Sequence, residues 1–426
     1  MLQVALDFVN LSQAMRMAHE AIDGGADWLE AGTPLIKSEG LETVRQLRKE
    51  FPDVHIVADL KTMDAGRTEI EAASEAGANV ATILGLAPDS CIQEFIKAGQ
   101  NFGCQVAVDM IGCADPVARA QAVAEWGAAS VGIHCAIDDQ MRGKDPFDEL
   151  RRVAEAVDIP VSVAGGINSE TVVQAIEAGA RIIIVGGAIT KSADATQATA
   201  AFKQAMLSGE GVHTDLYHRA SDDTIRETLE KVSTANISDG NHHSPGLVGL
   251  RPVWQGIHMV GTALTVRTAP GDFAKPVEAI DKAQPGQVIV VDAGGRPPAV
   301  WGELATESCI QRKLAGIAVD GAVRDTEHIV EMKFPCFARQ ISSAAGYPKG
   351  YGEIGAAITI EGIEIHTGDW IVGDDDGIFV LPMARATEMA NRAMDVLERE
   401  NRIRAEIRSS NTTLGQVLEL QRWEKK

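Results

Sequence analysis

Through its first two hundred residues the chain repeats one phrase: a short apolar run, a turn, a stretch with apolar residues at helical spacing, and a small-residue stop. The apolar runs begin near Val4, Asp27, His55, Asn79, Gln105, Ser130, Pro160 and Arg181, and they suit buried strands. Between them, residues 11–23 and 41–50 carry apolar side chains at helix spacing, which predicts amphipathic helices. Gly25, Gly77, Gly103, Gly127 and Gly179 follow the helical stretches, as helix C-termini prefer. Strands alternating with helices at this length imply parallel pairing and right-handed crossovers. Eight such units predict an α/β fold, a closed (β/α)8 TIM barrel. An open doubly wound sheet is the alternative, because periodicity does not itself show closure.

The rhythm stops after a helix at about 195–207, where Ser208-Gly209-Glu210-Gly211 reads as a connector. The expected organisation is a barrel over 1–208, a linker over 209–214 and a second domain over 215–426. There, helices are expected near 222–231 and from 234, and strands at 259–266, 287–291, 316–319, 335–338 and 369–380. A long charged helix is expected over 384–408, with the charge run from 398 as a solvated face. This part reads as a compact α/β sandwich.

With 426 residues, two domains is the ordinary expectation. A net charge of −21 argues against a nucleic-acid-binding surface, which needs basic patches. No apolar run reaches membrane-spanning length. Cys91, Cys104, Cys113, Cys135, Cys309 and Cys336 form no regular framework, so reduced thiols in a cytoplasmic setting are expected. Val4 already reads as first strand, so no signal peptide is expected.

The strongest chemical signal is Asp59-Leu60-Lys61-Thr62-Met63-Asp64, two carboxylates and an ammonium at the exit of a buried strand. Strand exits of a barrel converge on one mouth. They bring Asp7, Glu30, Asp59, Lys61, Asp64, Asp109, His134, Asp138 and the pairs Gly165-Gly166 and Gly186-Gly187 into question together. Glu30 and Asp59 suit a hard cation such as Mg2+ (or Mn2+), which would polarise a ketone and stabilise an enediolate. Lys61, between carboxylates, should stay protonated as an electrostatic partner or acid, and His134 can shuttle a proton. So many charges are costly to bury for structure alone, which disfavours a purely structural ion-pair network. Two glycine pairs after the seventh and eighth strands suggest a phosphate cradle. The substrate is then a phosphorylated sugar or similar small anion.

At these residues a resemblance emerges. Ala5-Leu6-Asp7, Glu30-Ala31-Gly32-Thr33-Pro34-Leu35-Ile36, the Asp59-x-Lys61-x-x-Asp64 motif, His134 and Ala164-Gly165-Gly166-Ile167 resemble the 3-hexulose-6-phosphate synthases. These are kin to the orotidine-phosphate and 3-keto-gulonate-phosphate decarboxylases. The resemblance covers about residues 1–207. It implies a Mg2+-dependent aldol reaction of formaldehyde with ribulose 5-phosphate, or its reverse. It implies Glu30 and Asp59 near the metal, with Asp7, Lys61 and His134 around the enediolate. It also implies dimeric barrels in which Asp64 reaches a neighbouring subunit's site. The 3-keto-gulonate-phosphate decarboxylases share the Asp-x-Lys-x-x-Asp motif. They usually carry Arg three residues after the sixth-strand His, where this chain has Ile137.

In the second half, Val319-Asp320-Gly321-Ala322-Val323-Arg324-Asp325 is again an apolar strand ending in charge. Arg324 can clamp a carboxylate, Asp325 can hold Mg2+ directly or through water, and Glu303 is a further acid. For one dipeptide an exposed Arg-Asp pair would be the commoner meaning. His242-His243 read as loop histidines, since adjacent residues point apart. The stretch from Gly294 to Asp325, with Ile237-Ser238-Asp239 and Lys282-Ala283-Gln284-Pro285-Gly286, resembles a wider family. That family joins the regulator of ribonuclease E activity A (RraA) to the 4-hydroxy-4-methyl-2-oxoglutarate aldolases. The match covers about 215–405. It implies that Arg324 binds a pyruvyl group, that Asp325 holds Mg2+ through water, and that these domains are trimeric. A regulatory, protein-binding role for this half is the competing expectation.

Overall fold

The computed structural model describes residues 1–215 and 217–423. It forms two compact units, one of Met1–Gln140, Lys144–His218 and Glu398–Lys426, the other of Met141–Gly143 and Arg219–Leu397. Relative to the division expected from composition, the first unit also takes the stretch up to His218 and the chain end from Glu398.

In the first unit, strands β1 (Leu2–Leu6), β2 (Trp28–Ala31), β3 (His55–Thr62), β4 (Val80–Leu84), β5 (Gln105–Asp109), β6 (Ser130–His134), β7 (Val161–Ala164) and β8 (Ile182–Val185) are all parallel. β8 pairs back onto β1, with Leu2 opposite Ile183, and the barrel is closed. The strands read as nearly continuous apolar runs because helices cover their outer face. The helix Leu11–Asp23 shows how the pattern works: Asn10 caps it by accepting from the Ser12 and Gln13 amides, and Ala14, Met17, Ala18 and Ala21 form its buried stripe. Gly25, Gly77, Gly103, Gly127 and Gly179 all take positive φ, the backbone needed to leave a helix and enter the next strand.

The charge run from residue 398 is not a solvated face. The helix Ala386–Ser409 ends against the barrel's own helices, where Arg402 pairs with both oxygens of Glu20 at 2.6 and 2.9 Å and Arg16 pairs with Glu406 at 3.0 Å. Beyond it, Arg422 pairs with Glu39 at 2.5 Å. Glu398 itself is only 3% exposed. A charge run without an apolar stripe gives no hint of such partners, since they lie nearly 400 residues away in sequence.

The second unit is a mixed α/β fold. Its strands are β9 (Arg251–Pro252), β10 (Met259–Arg267), β11 (Val288–Asp292), β12 (Ala299–Trp301), β13 (Gly316–Val323), β14 (Cys336–Ile341), β15 (Glu353–Ile354), β16 (Ile358–Ile360), β17 (Ile363–Ile365), β18 (Trp370–Asp374) and β19 (Gly377–Leu381). The main sheet runs β19-β18-β10-β11-β13-β14-β9, parallel through β10, β11, β13 and β14 and antiparallel at its ends. A bridge from Leu247 to Ile378 brings its two edges together, so the sheet is nearly closed. The single run expected over 369–380 is instead a hairpin, β18 and β19, turning at Asp375 and Asp376. No helix among the described residues is long and apolar enough to cross a membrane.

Phe95 is fully buried on the helix Asp89–Phe102 beside Ile92 and Ile96. Phe95→Ala should destabilise the barrel by about 3–5 kcal/mol through lost burial and a residual cavity. Chemical denaturation followed on the barrel's transition checks this, and a loss under about 1 kcal/mol would mean the site collapses freely.

Candidate active site

The C-terminal ends of the barrel strands enclose a cavity of about 540 Å3. Asp7, Glu30, Asp59, Lys61, His134, Gly165, Gly166, Gly186 and Gly187 all line it. Each arrives for a local reason. In a strand alternate residues share a face, so Asp59 and Lys61 of β3 project to the same side. The β3–β4 register shifts between Ala58 and Thr62, and Lys61 adopts left-handed backbone with φ of 47°. Its amide donates to Thr82 Oγ1 at 3.0 Å, and the same hydroxyl donates to Asp59 Oδ1 at 2.8 Å.

The charged groups form a chain. Lys61 Nζ donates to Asp59 Oδ2 at 2.8 Å and to Asp109 Oδ2 at 3.3 Å. His134 Nδ1 stands 3.2 Å from the same Asp109 oxygen. Thr33 Oγ1 donates to Asp59 Oδ2 at 2.6 Å, and the Ile111 amide donates to Asp109 Oδ1 at 2.9 Å. Glu30 accepts from the Gln3 amide nitrogen. Burial works against charge on Lys61, but Asp59 and Asp109 outweigh it and push its pKa further up. Lys61 is therefore a fixed cation at neutral pH and a poor proton donor. Burial also opposes charge on Asp109, yet His134 and Lys61 hold its pKa below the usual carboxylate value.

Two acids go the other way. Glu30 is raised well above the usual range by burial and then by the Asp59 and Asp7 carboxylates. Asp7 opens onto the cavity but is packed closely by the mouth, and burial followed by Asp59 raises it. Asp7, Glu30, Asp59 and Asp109 thus face Lys61 and His134, with Lys191 acting on Asp7 as well, so acids outnumber cations at the mouth. That excess of acid, with Glu30 and Asp59 among the carboxylate oxygens of the lining, fits a hard divalent cation completed by substrate and water oxygens. It is not a closed protein cage: among the described residues no group of three or more His, Cys, Asp or Glu side chains is arranged to hold a metal.

The glycine pairs lie across the mouth. Gly165 has φ of 97°, and a Cβ there would collide with the Cys135 carbonyl oxygen. Among the described residues the Gly165, Gly166 and Ile167 amides donate to no protein acceptor, which leaves them for an anion. Asp64 is not part of the cavity lining. It is exposed and accepts from the Ala65 amide at 2.7 Å. Asp138 is likewise exposed and outside the lining.

Asp109 was legible as a strand-exit acid, but its role as the link between Lys61 and His134 was not. Thr33 and Thr82, which fix Asp59, carried no signal beyond their place near strand exits. Gln140 and Tyr217 also line the cavity, and nothing in the repeat pattern marks them.

In the second unit, Asp325 follows β13 in left-handed backbone with φ of 54°. Its Oδ2 accepts from the Glu303 amide at 3.4 Å and lies 3.4 Å from Arg324 Nε. A Cβ on Gly302 would stand 2.5 Å from that oxygen, so glycine allows the close approach. His328 Nδ1 lies 4.0 Å from Glu303 Oε2. Glu303, Arg324 and Asp325 are therefore gathered at one exposed point.

Residues 1–202 match the family model "Orotidine 5'-phosphate decarboxylase / HUMPS family", and residues 234–380 match "RraA-like: Aldolase/RraA". The 3-hexulose-6-phosphate synthase of Bacillus subtilis is 36% identical over 209 residues, covering 49% of this chain and 99% of that protein. That of Methylomonas aminofaciens is 40% identical over 199 residues, covering 46% of this chain and 95% of that protein. The solved structure of the Salmonella typhimurium 3-hexulose-6-phosphate synthase is 35% identical, covers 49% of this chain and 99% of that one, and superposes with a TM-score of 0.47.

The raised Glu30 pKa makes a stability prediction. Folding favours its protonated form, so that contribution is present at acid pH and is lost as pH rises from the ordinary carboxylate range through the raised value. Glu30→Gln should therefore melt a few degrees higher than the parent in metal-free buffer at neutral pH, with the gain vanishing near pH ~4. Thermal denaturation across pH decides it; equal melting at all pH values would mean Glu30 is not strained.

Proposed function

The chain belongs to the orotidine 5'-phosphate decarboxylase / HUMPS family through its barrel, and from that premise we propose that the barrel is a 3-hexulose-6-phosphate synthase. It joins formaldehyde to D-ribulose 5-phosphate, or runs the reverse cleavage. The observation that carries this reading is the Lys61 ammonium fixed between Asp59 and Asp109, with His134 on the far side of Asp109 and unpaired glycine amides across the mouth.

An aldol addition removes a proton from the carbon beside the ketone, spreads negative charge onto the ketone oxygen, and forms a carbon–carbon bond to formaldehyde. The formaldehyde oxygen then takes up a proton. Glu30 and Asp59 would hold Mg2+ or Mn2+, which supplies charge stabilisation for the enediolate. Lys61 adds a permanent positive charge at the same place without needing to give up its proton. Asp109 engages His134 Nδ1, which orients the ring and leaves Nε2 to take and return the proton. The glycine amides after β7 and β8 would bind the phosphate, and they fix which end of the sugar meets the acids. Ile137 lines the cavity where the related decarboxylases would place Arg, which favours the aldol reading over decarboxylation of 3-keto-L-gulonate 6-phosphate.

On the same reading the barrels work as dimers, and the exposed Asp64 reaches a neighbouring subunit's site in a cytoplasmic enzyme. For the second unit, the gathering of Glu303, Arg324 and Asp325 around Gly302 supports a second lyase site. Arg324 would clamp a 2-oxo-acid carboxylate and Asp325 would hold Mg2+ through water, in trimeric assemblies. A regulatory role is the opposing reading.

Formaldehyde-dependent consumption of ribulose 5-phosphate should require a divalent cation, stop with a chelator and return on adding Mg2+. Lys61→Ala should lower kcat/KM by about 10²–10⁴-fold with the fold intact. Turnover of 3-keto-L-gulonate 6-phosphate in place of ribulose 5-phosphate would reverse the assignment. For the second unit, metal-dependent pyruvate release from a 4-hydroxy-2-oxo acid should fall by at least about 100-fold in Arg324→Ala. Absence of any such release from the parent chain would favour the regulatory role.

A further inference from the structure

Tyr217 lies beyond the family-matched residues 1–202, yet it lines the barrel cavity. It sits at the glycine end. A Cβ on Gly187 would collide with the Tyr217 ring, so the ring rests directly on the loop after β8. Lys191, at the end of that loop, places its ammonium 5.5 Å from the ring centroid. The phenol donates to Gln140 Oε1 at 3.4 Å, and Gln140 Nε2 donates to the Cys135 carbonyl at 2.7 Å. The Gln140 side chain in turn packs on Gly165 and Gly166. Tyr217 and Gln140 together therefore wall both glycine loops.

The ring is held from behind. The Tyr217 amide donates to Glu398 Oε1 at 2.6 Å, and Glu398 is buried. Four residues on, Arg402 grips Glu20 and donates to the Ser192 and Ala193 carbonyls at 3.1 and 3.3 Å, just past the β8 loop. Tyr217 itself takes left-handed backbone, with φ of 61°, a conformation a tyrosine adopts rarely and holds only when its surroundings fix it.

We infer that Tyr217 is a specificity-determining residue for the phosphate end of the barrel's substrate, supplied by the segment after the eighth unit and clamped by Glu398 of the C-terminal helix. The ring covers one side of the loop after β8 and faces the Lys191 ammonium on its other contact, and the reduced access of water strengthens amides and ammonium alike toward a phosphate. This rests on the phosphate reading of the glycine pairs given above.

The test uses the full chain with Mg2+ and two probes, D-ribulose 5-phosphate and unphosphorylated D-ribulose, by calorimetry and by steady-state kinetics. Tyr217→Ala and Tyr217→Leu should each weaken ribulose 5-phosphate binding and raise its KM by about fivefold to tenfold, with kcat changed less than about twofold. Binding of unphosphorylated ribulose should not change, so the preference for the phosphorylated sugar falls. Tyr217→Phe, which keeps the ring, should stay within about twofold of the parent, and Glu398→Ala should follow Tyr217→Ala in direction. Equal losses for both sugars, or a fall in kcat with KM unchanged, would overturn the inference by showing a merely structural role. Unchanged ribulose 5-phosphate affinity in both folded variants would overturn it as well. If the parent chain shows no preference for the phosphorylated sugar, the phosphate reading itself fails, and this inference with it.

Discussion

The ammonium of Lys61 is shared between Asp59 and Asp109, and the rest of the barrel mouth is organised around that one cation. Removing it would leave two nearly buried carboxylates facing each other, with Glu30 and Asp7 close by, in surroundings that penalise each added charge. Keeping it sorts the acids into two kinds. Asp109 is held ionised by Lys61 and His134, whereas Glu30 and Asp7 are pushed toward their protonated forms. Acids of two kinds in one cavity are what proton-transfer chemistry needs, because one orients a base while others respond to added positive charge.

Both units solve the same backbone problem in the same way. Lys61, one residue before the end of β3, and Asp325, two residues past the end of β13, each take left-handed backbone, with φ of 47° and 54°. A residue that turns out of a sheet in this conformation re-aims its side chain within one step. The neighbouring chain must then make room: β3 shifts its register against β4, and Gly302 leaves space beside Asp325. Such backbone is costly for residues with a Cβ and is held only where surrounding contacts fix it. The same backbone occurs at other turns of the chain, such as Ala65 and Lys313, so it is the charge at Lys61 and Asp325, and not the conformation alone, that sets these two strand exits apart.

The C-terminal helix alters what the barrel is. A (β/α)8 unit closes through its own strands and needs no further element to complete its core. Here Arg402, Glu398 and Arg422 all find partners on or beside the barrel's helices and loops. Long-range charge pairs of this kind contribute modestly one by one; on this helix Arg402 and Glu406 make two of them, beside the hydrogen bond that Glu398 accepts from the Tyr217 amide. The consequence for chemistry is local, because the helix holds Tyr217 against the loop after β8.

How much of this was legible beforehand divides cleanly by range. Alternating apolar runs and helical stretches placed the starts of the eight strands to within two residues, and the strand-exit rule grouped Asp7, Glu30, Asp59, Lys61 and His134, which line one cavity. That worked because strand and helix periods are local properties, and because a closed parallel barrel must send all its exits to one end. Asp64 was read as part of the same motif but sits outside the cavity, since three further residues carry the chain past the rim. The hairpin of β18 and β19 hid inside one apolar run because a two-residue turn leaves little trace in the pattern. Tertiary structure alone decided that Asp109 joins Lys61 to His134, that the charged end of the helix Ala386–Ser409 docks on the barrel, and that Tyr217 walls the glycine loops. Those contacts pair residues tens to hundreds of positions apart, and no periodicity links them; they exist only once the strands have closed and fixed the distances between side chains.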